Sequence, residues 1–284
     1  MDIGNSFKIL SFNDILDLNI FKRYGFKVEV TDFAKLLGCK YNWDSSSNRY
    51  CGSWWTVINN NNVFEINSNG DIKRVNPTNT NIGARLAIDY KKIKSIAKNK
   101  KEITPNIIEV ECFSYPSNVV SKEEQKCLET KFINEKAFFE SKTNKYPHNS
   151  LSKTDKYYKT YDQSGNYGIT RYCKTFDEYF IDNQKYIRFV ADKNIDSCLS
   201  NKTQIKKNFP YWLKVEPIKF IVDKKRNIAI TKDIVFSGIK FNFSNEYFES
   251  FDSTEMSLYL NSVFSENIIP SDKFVLLGDT KVKP

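Results

Sequence analysis

The first part of the chain, residues 1–90, alternates short apolar stretches with turn-forming residues, which predicts small strands and helices. The apolar segment 7–12 predicts a strand, and the amphipathic stretches 13–25 and 30–38 predict two helices that each end at a glycine. Three β segments follow, and the Ser-Asn-Gly-Asp sequence between the last two is a strong hairpin signal. These β segments are SWWTVI (53–58), NVFEIN (62–67) and IKRVN (72–76).

The rest of the chain has longer elements. NIIEVECF (106–113) predicts a strand, and SKEEQKCLETKFINEKAFFES (121–141) predicts a helix because it opens with a serine cap and an acid-rich first turn. The stretch 142–182 is polar and tyrosine-rich, so it predicts an irregular loop region. The remaining predicted elements are strands within 185–192, 210–223 and 227–242, and a helix within 248–270 that begins after Ser253 or Thr254.

Composition predicts a folded protein, and the distribution of charge limits the classes of partner that it can bind. Of the 284 residues, 40% are hydrophobic and 15% are aromatic, which is enough to bury a substantial core. The net charge of +9 is concentrated in KKIKSIAKNKK (91–101), whose favoured interpretation is a solvated, self-repelling linker spanning 91–105. A phosphate-binding strip is the alternative, but acidic segments elsewhere argue against nucleic acid as the partner. The candidate basic contacts are Lys91, Lys92, Lys94, Lys98, Lys100 and Lys101.

The cysteines and the histidine are not spaced as they are in metal sites. The six cysteines include no Cys-x-x-Cys pair, and His148 is the single histidine, which argues against a zinc site. Free thiols in a reducing cytoplasm, or in a particle assembled there, are expected. The opening MDIGNSFKILSFNDI lacks the features of a signal peptide, and no apolar run approaches the roughly 20 residues that cross a bilayer. We therefore expect a cytoplasmic or virion location without membrane insertion.

Several of these segments resemble one domain family. SWWT (53–56), FEINSNGDIKRV (64–75) and NIGARLAIDY (81–90) are similar to the closing half of a C-type-lectin-like domain of gut Firmicutes and their phages, related to formylglycine-generating enzymes. The stretch 212–242 and the helix that ends in SLYLNSVFSENIIP (257–270) are similar to the opening half of that domain. The resemblance implies an α+β, C-type-lectin-like mixed fold with short antiparallel strands and a few helices.

The two halves come in reversed order along this chain. A circularly permuted chain can close such a domain on itself, because the terminal strands of lectin-like folds lie close together. Domain exchange is an alternative, in which one copy completes the next and forms a head-to-tail homo-oligomer; two separate small domains are a third possibility. The predicted divisions are a closing half at 1–90, the lysine-rich linker at 91–105, a helix plus tyrosine-rich insertion at 106–184 and an opening half at 185–284.

The resemblance suggests chemistry that the residues do not support. Enzymes of that fold use redox-active cysteines, yet neither Cys39 nor Cys51 lies in a recognisable active-site pattern, so buried structural thiols are expected. The calcium-binding signatures are missing, because Ile218 follows Pro217 where an amide ligand is needed. Glu216 is instead expected to satisfy a buried backbone donor or to pair with Arg85. No catalytic residue, metal or cofactor is predicted.

Aromatic residues provide the candidate binding surface. Alternation along SWWTV sends Trp54 and Trp55 to opposite faces, so Trp55 is expected in the core and Trp54 against a second layer, a partner or a ligand. Tyrosines on irregular loops supply rigid contact area for recognition. The candidate binding residues are Trp54, Tyr157, Tyr158, Tyr161, Tyr167 and Tyr172.

Three classes of function follow. The leading hypothesis is a non-enzymatic binding or assembly module, such as a phage capsid decoration, fibre or tail protein that recognises a protein or a cell-surface glycan. The second is a cytoplasmic inhibitor or effector that binds a host nucleic-acid enzyme through basic and aromatic loops. The third is an enzyme of the formylglycine-generating type.

Overall fold

Antiparallel strands form most of the regular structure in the computed structural model, and a few short helices accompany them, so the protein is α+β. The structure describes residues 6–58, 62–135, 141–147, 160–161, 167–168, 173–181, 183–242, 248 and 250–268. The helices are α1 (Phe12–Asp17), α2 (Asn19–Tyr24), α3 (Asp32–Leu36), α4 (Tyr90–Ile93), α5 (Lys122–Glu135), α6 (Glu255–Tyr259) and α7 (Ser265–Ile268), with a 3-10 helix at Phe251–Ser253 and a π-helix at Leu260–Phe264.

The strands pair into one large sheet and several small ones. They are β1 (Val28–Glu29), β2 (Tyr41–Asp44), β3 (Arg49–Gly52), β4 (Trp54–Val57), β5 (Val63–Ile66), β6 (Ile72–Arg74), β7 (Ala87–Asp89), β8 (Lys98–Thr104), β9 (Ile107–Val119), β10 (Ser141–Pro147), β11 (Thr160–Tyr161), β12 (Tyr167–Gly168), β13 (Cys173–Ile181), β14 (Gln184–Val190), β15 (Ile195–Cys198), β16 (Gln204–Ile205), β17 (Pro210–Asp223) and β18 (Ile228–Thr231). The small sheets are β1-β3-β2, β4-β5-β6, β11-β12 and β15-β16.

Strand β17 organises the large sheet. It has the same bounds as the predicted strand 210–223, and apolar and polar residues alternate only in its middle, between the apolar runs 211–213 and 220–222. β9 pairs with it along most of its length, while β14 and β18 pair with its first and second halves. The order across the sheet is β10-β13-β14-β17-β18-β7, with β9 also beside β17 and β8 beside β9. A register shift falls after Pro217, where a residue without an amide hydrogen is tolerated.

The early and late parts of the chain meet in this sheet. β7 pairs with β18, and isolated bridges join Ala84 to Phe236 and Val30 to Ile234. The larger hydrophobic core includes residues from Phe7 to Ile268. Residues from 1–90 and from 185–268 therefore pack together within a single chain.

Two predictions about irregular segments are wrong. The predicted linker 91–105 includes α4 and β8, and β8 is hydrogen-bonded to β9 at the edge of the large sheet. The predicted loop region 142–182 contributes β10 and β13, which pair with each other in a continuous seven-residue register. Tertiary pairing imposes strand structure on sequences that lack apolar alternation.

The predicted helix 13–25 is broken into α1 and α2 at Leu18, whose ψ of 128° is extended. Leu18 is buried, and the next residue, Asn19, donates hydrogen bonds from its backbone and side chain to the carboxylate of Asp223. The same carboxylate accepts from the backbone of the turn after β17. The break therefore lets the first helices dock onto the end of the central strand.

Helix α5 covers one face of the large sheet beside Trp212. The ring of Trp212 lies 5.7 Å from that of Phe132 on the helix and 5.4 Å from that of Tyr179. Leu213, the next residue, points to the larger core on the other face. The sheet thus has packed layers on both faces at this point, and α5 is one of them.

Candidate functional site

The neighbouring tryptophans of β4 point into different cores. Trp55 is fully buried in the larger core, 5.6 Å from the ring of Phe241. Trp54 is 1% exposed and stacks on Phe21 with ring centroids 6.0 Å apart, and its Nε1 donates to a backbone carbonyl. The opposite orientations agree with strand alternation. The prediction that Trp54 contributes to a binding surface is wrong, because its ring is enclosed in the second core.

Arg85 and Glu216 have different partners, so the predicted contact between them is wrong. Arg85 is buried, its Nε donates to a backbone carbonyl of β18 at 2.8 Å, and its guanidinium lies 5.0 Å from the centre of the Phe21 ring. Burial lowers the pKa of Arg85 to about 9. Glu216 accepts a hydrogen bond from the hydroxyl of Ser117, beside a cavity of about 210 Å³.

The six lysines predicted as basic contacts are exposed on two neighbouring elements. The register of β8 shifts between its first and fourth residues, and Asn99 there has a φ of 49°. Lysines and bulges on an edge strand both prevent it from pairing with a strand of another chain. The β8 lysines therefore have a structural role, which is to protect this edge of the sheet. The six are Lys91 and Lys92 in α4, Lys94 just after it, and Lys98, Lys100 and Lys101 in β8.

The structure brings two of the candidate tyrosines together. Tyr161 and Tyr167 are Cα partners in the β11-β12 pair. Tyr157, Tyr158 and Tyr172 lie outside the described residues, as does His148. The tyrosine surface therefore stays a prediction.

The two cysteines considered for catalysis are both buried. The thiol of Cys39 lies 3.6 Å from the carbonyl of Ser53, and burial raises the pKa of Cys39 to about 12. Burial also raises the pKa of Cys51. Across the residues that the structure describes, no group of three or more His, Cys, Asp or Glu side chains is arranged to hold a metal ion.

A surface groove that the sequence did not reveal lies between α5 and the segment 198–211. This groove, the α5 groove, has a volume of about 780 Å³, within the roughly 300–1,000 Å³ typical of ligand sites. Its apolar surface includes Phe209, which is 40% exposed, and Ile133, which is 70% exposed. Large apolar side chains left in solvent next to a concavity are typical of an interaction site.

The helical wall of the groove is held to the sheet by partly buried hydrogen bonds. Glu129 accepts from Arg188 at 2.7 and 2.9 Å and from the indole of Trp212 at 2.8 Å. Burial raises the pKa of Glu129, but these hydrogen bonds lower it more, so the pKa lies below its ordinary value. The side chain of Gln125 bonds to the backbone of both Pro210 and Trp212. α5 therefore forms a preorganised wall.

The opposite wall, the β15-β16 hairpin, is anchored from another direction. The buried carboxylate of Asp32, at the start of α3, accepts from the backbone of Ser200 at 2.9 Å and from Lys35 at 2.9 Å. The hydroxyl of Tyr211 donates to a carbonyl of β16 and accepts from the backbone of Lys206, both at 2.8 Å. Both walls are thus fixed to the central strand or to α3.

The rim of the groove is basic. Lys122 and Lys126 stand one turn apart on α5, while Lys202 and Lys206 stand on the hairpin wall. All four are exposed, and none forms an ion pair with the residues that the structure describes. Because the Glu129 carboxylate is already neutralised by an arginine, the groove presents unpaired positive charge over an apolar floor.

Lys202 has a backbone conformation that favours glycine. Its φ is 62°, in the turn where its amide bonds to the carbonyl of Leu199. A side chain other than Gly, Asn or Asp in the left-handed region costs about 1 kcal/mol or more.

Comparisons of this chain with family models, with curated proteins and with solved structures find no significant match. None of the helices in the described part of the chain is long and apolar enough to cross a membrane. The chemistry of the site is that of an apolar groove with a lysine rim and two walls held by hydrogen bonds.

Proposed function

We propose that the protein is a non-enzymatic binding module that holds an acidic segment of a protein partner in the α5 groove. The observation that carries the proposal is the combination of exposed Phe209 and Ile133 with the lysine rim. An apolar side chain of the partner packs against the floor and excludes water, while flanking Asp or Glu residues meet the lysines. Apolar contacts of this kind supply most of the affinity, and charge complementarity sets orientation and association rate.

A protein segment fits the groove better than a nucleic acid does. The rim lysines lie on two facing walls around an apolar centre, which matches a chain with a central apolar anchor and acids on both sides. The walls are already ordered by Glu129 and Asp32, so little conformational entropy is lost when a partner binds. This rigidity favours recognition of a defined motif.

The finer fold and the biological setting are part of the same proposal. We propose a C-type-lectin-like domain with its halves in reversed order; its support is the sequence resemblance together with the pairing of β7 with β18. We also propose an assembly role, as in a phage particle. Mass spectrometry of purified particles from a host that carries the gene tests that role, and absence of the protein from the particles would contradict it.

The groove is tested with fluorescein-labelled synthetic peptides in which one Phe or Leu is flanked by Asp and Glu. Anisotropy titrations are expected to show binding that weakens as salt rises, because salt screens charge pairs at the rim. Lys202→Glu combined with Lys206→Glu is expected to weaken binding by roughly tenfold or more. Peptides with Lys in place of the acids are expected not to bind.

The matched control is Lys98→Glu combined with Lys101→Glu on β8. It changes the net charge by the same amount at a site outside the groove, so peptide affinity should be unchanged. Equal loss in both double variants would show a non-specific charge effect and would sink the groove proposal. A loss of binding to a nucleic-acid enzyme in the β8 variant alone would favour the alternative, an inhibitor that uses the basic segment.

A further inference from the structure

A second cavity, separate from the α5 groove, lies beside the β4-β5-β6 sheet. This cavity, the β5 cavity, has a volume of about 390 Å³ and a polar lining that includes Tyr41, Asn42, Ser53 and Ser68. Asn42 donates to the hydroxyl of Ser68 at 2.9 Å, which fixes both side chains. The phenol of Tyr41 donates to a backbone carbonyl of β15 at 3.0 Å. The cavity is therefore lined by ordered polar groups.

Glu65 lines this cavity with an unsatisfied carboxylate. The residue is only 8% exposed, and its Oε2 is buried with no hydrogen-bond partner among the described residues. Trp55, its direct partner across β4 and β5, likewise has a buried indole N–H without a partner there. An uncompensated buried charge is costly, so it is expected to meet a cation or strong hydrogen-bond donor when the site is filled.

Two lysines line the same cavity without neutralising Glu65. Lys73 is the direct cross-strand partner of Glu65 in β6, and Lys40 lies just before β2. Both are exposed, and neither forms an ion pair within the part of the chain that the structure describes. Glu65 thus lines the cavity together with two lysines that form no ion pair in the described part of the chain.

We propose that the β5 cavity binds a small zwitterion of the α-amino acid class, with its ammonium group on Glu65 and its carboxylate on Lys40 and Lys73. Each charge of the ligand then meets an unpaired charge of opposite sign, and hydrogen bonds to charged partners are the strong ones. The amides and hydroxyls of the lining favour a polar ligand side chain, such as that of serine, asparagine or glutamine. A neutral polyol would leave the Glu65 charge without a counter-charge.

The proposal is tested by thermal denaturation of the full chain with L-serine, L-asparagine, L-glutamine and L-leucine. A ligand at about ten times its dissociation constant is expected to raise Tm by about 3 °C. The polar amino acids should do so at lower concentration than leucine. N-acetyl-L-asparagine, which lacks the ammonium group, and ethanolamine, which lacks the carboxylate, should each need at least about tenfold more ligand.

Two variants link the response to the named residues. Glu65→Gln keeps the shape of the side chain and should abolish the amino acid response. Lys73→Gln should weaken the response several-fold. The matched control Glu102→Gln removes an exposed charge on β8 and should leave the response unchanged.

Each contrary result overturns the proposal. No Tm change with any amino acid would do so, as would an equal response to the N-acetylated compound. A response to glucose or galactose in place of amino acids would identify a polyol site instead.

Discussion

The half-buried carboxyl of Asp233 leads to a specific prediction about how stability depends on pH. Burial and the nearby carboxylate of Glu29 raise its pKa from 3.8 to about 6, although the neighbouring cations lower it. Those cations are Lys232, Arg85 and Lys219. At neutral pH the protein therefore holds a charged group in a place that disfavours the charge.

The size of the effect follows from linkage. Replacing a pKa of 3.8 by one of about 6, at about 1.4 kcal/mol per unit, gives a destabilisation of about 2–3 kcal/mol at neutral pH. Because the folded-state pKa is raised, this destabilisation is fully present above about pH 7, and it is relieved as pH falls through about 6 toward 4. Asp233→Asn, which cannot ionise, should be more stable than the natural chain by that amount at neutral pH.

The assay is urea unfolding followed by tryptophan fluorescence at a series of pH values between about 4 and 8. The difference in unfolding free energy between variant and natural chain should be largest near pH 7.5 and should shrink toward zero near pH 4. Lys232→Gln is a useful companion, because it removes a cation that opposes the shift and should enlarge the destabilisation. A constant difference across the range, or a less stable Asn variant at neutral pH, would refute the reasoning.

Two further predictions concern packing and thiol chemistry. Gly83→Ala should destabilise the fold by about 1–3 kcal/mol or more, because the added Cβ would lie 2.2 Å from Cγ2 of Ile234, and a urea midpoint equal to that of the natural chain would contradict this. In the native protein at pH 8, iodoacetamide followed by peptide mass spectrometry should label the exposed Cys127 and spare Cys39, whose pKa burial raises to about 12. Rapid native labelling of Cys39 would reopen the enzyme hypothesis.

Elements with local signals were predictable from sequence. β17 has two apolar runs joined by an alternating segment, and α5 begins after a serine whose hydroxyl accepts from the backbone of Glu124, as its sequence suggests. β10 and β13 were not predicted, because their sequences are polar and tyrosine-rich and their strand form depends on pairing within the sheet.

The sites were harder to predict than the elements. The α5 groove joins a helix to a hairpin about seventy residues later, and no local pattern encodes that proximity. The exposed Phe209 and the paired lysines of α5 were visible signals, but each alone is common on protein surfaces. Glu65 is the one polar residue among the four of β5, yet a sequence cannot distinguish a charge that faces solvent from one enclosed by a neighbouring turn.

The contact between the ends of the described chain has a consequence for synthesis. The backbone of Phe7 exchanges hydrogen bonds of 3.2 and 3.3 Å with the side chain of Asn261, 254 residues later. β7 likewise cannot pair with β18 until the ribosome has added about 140 more residues. Contacts this distant in sequence slow folding and leave early apolar segments exposed as the chain emerges from the ribosome. Chaperone demand during translation should therefore be high, and it should fall only when the last helices have been made.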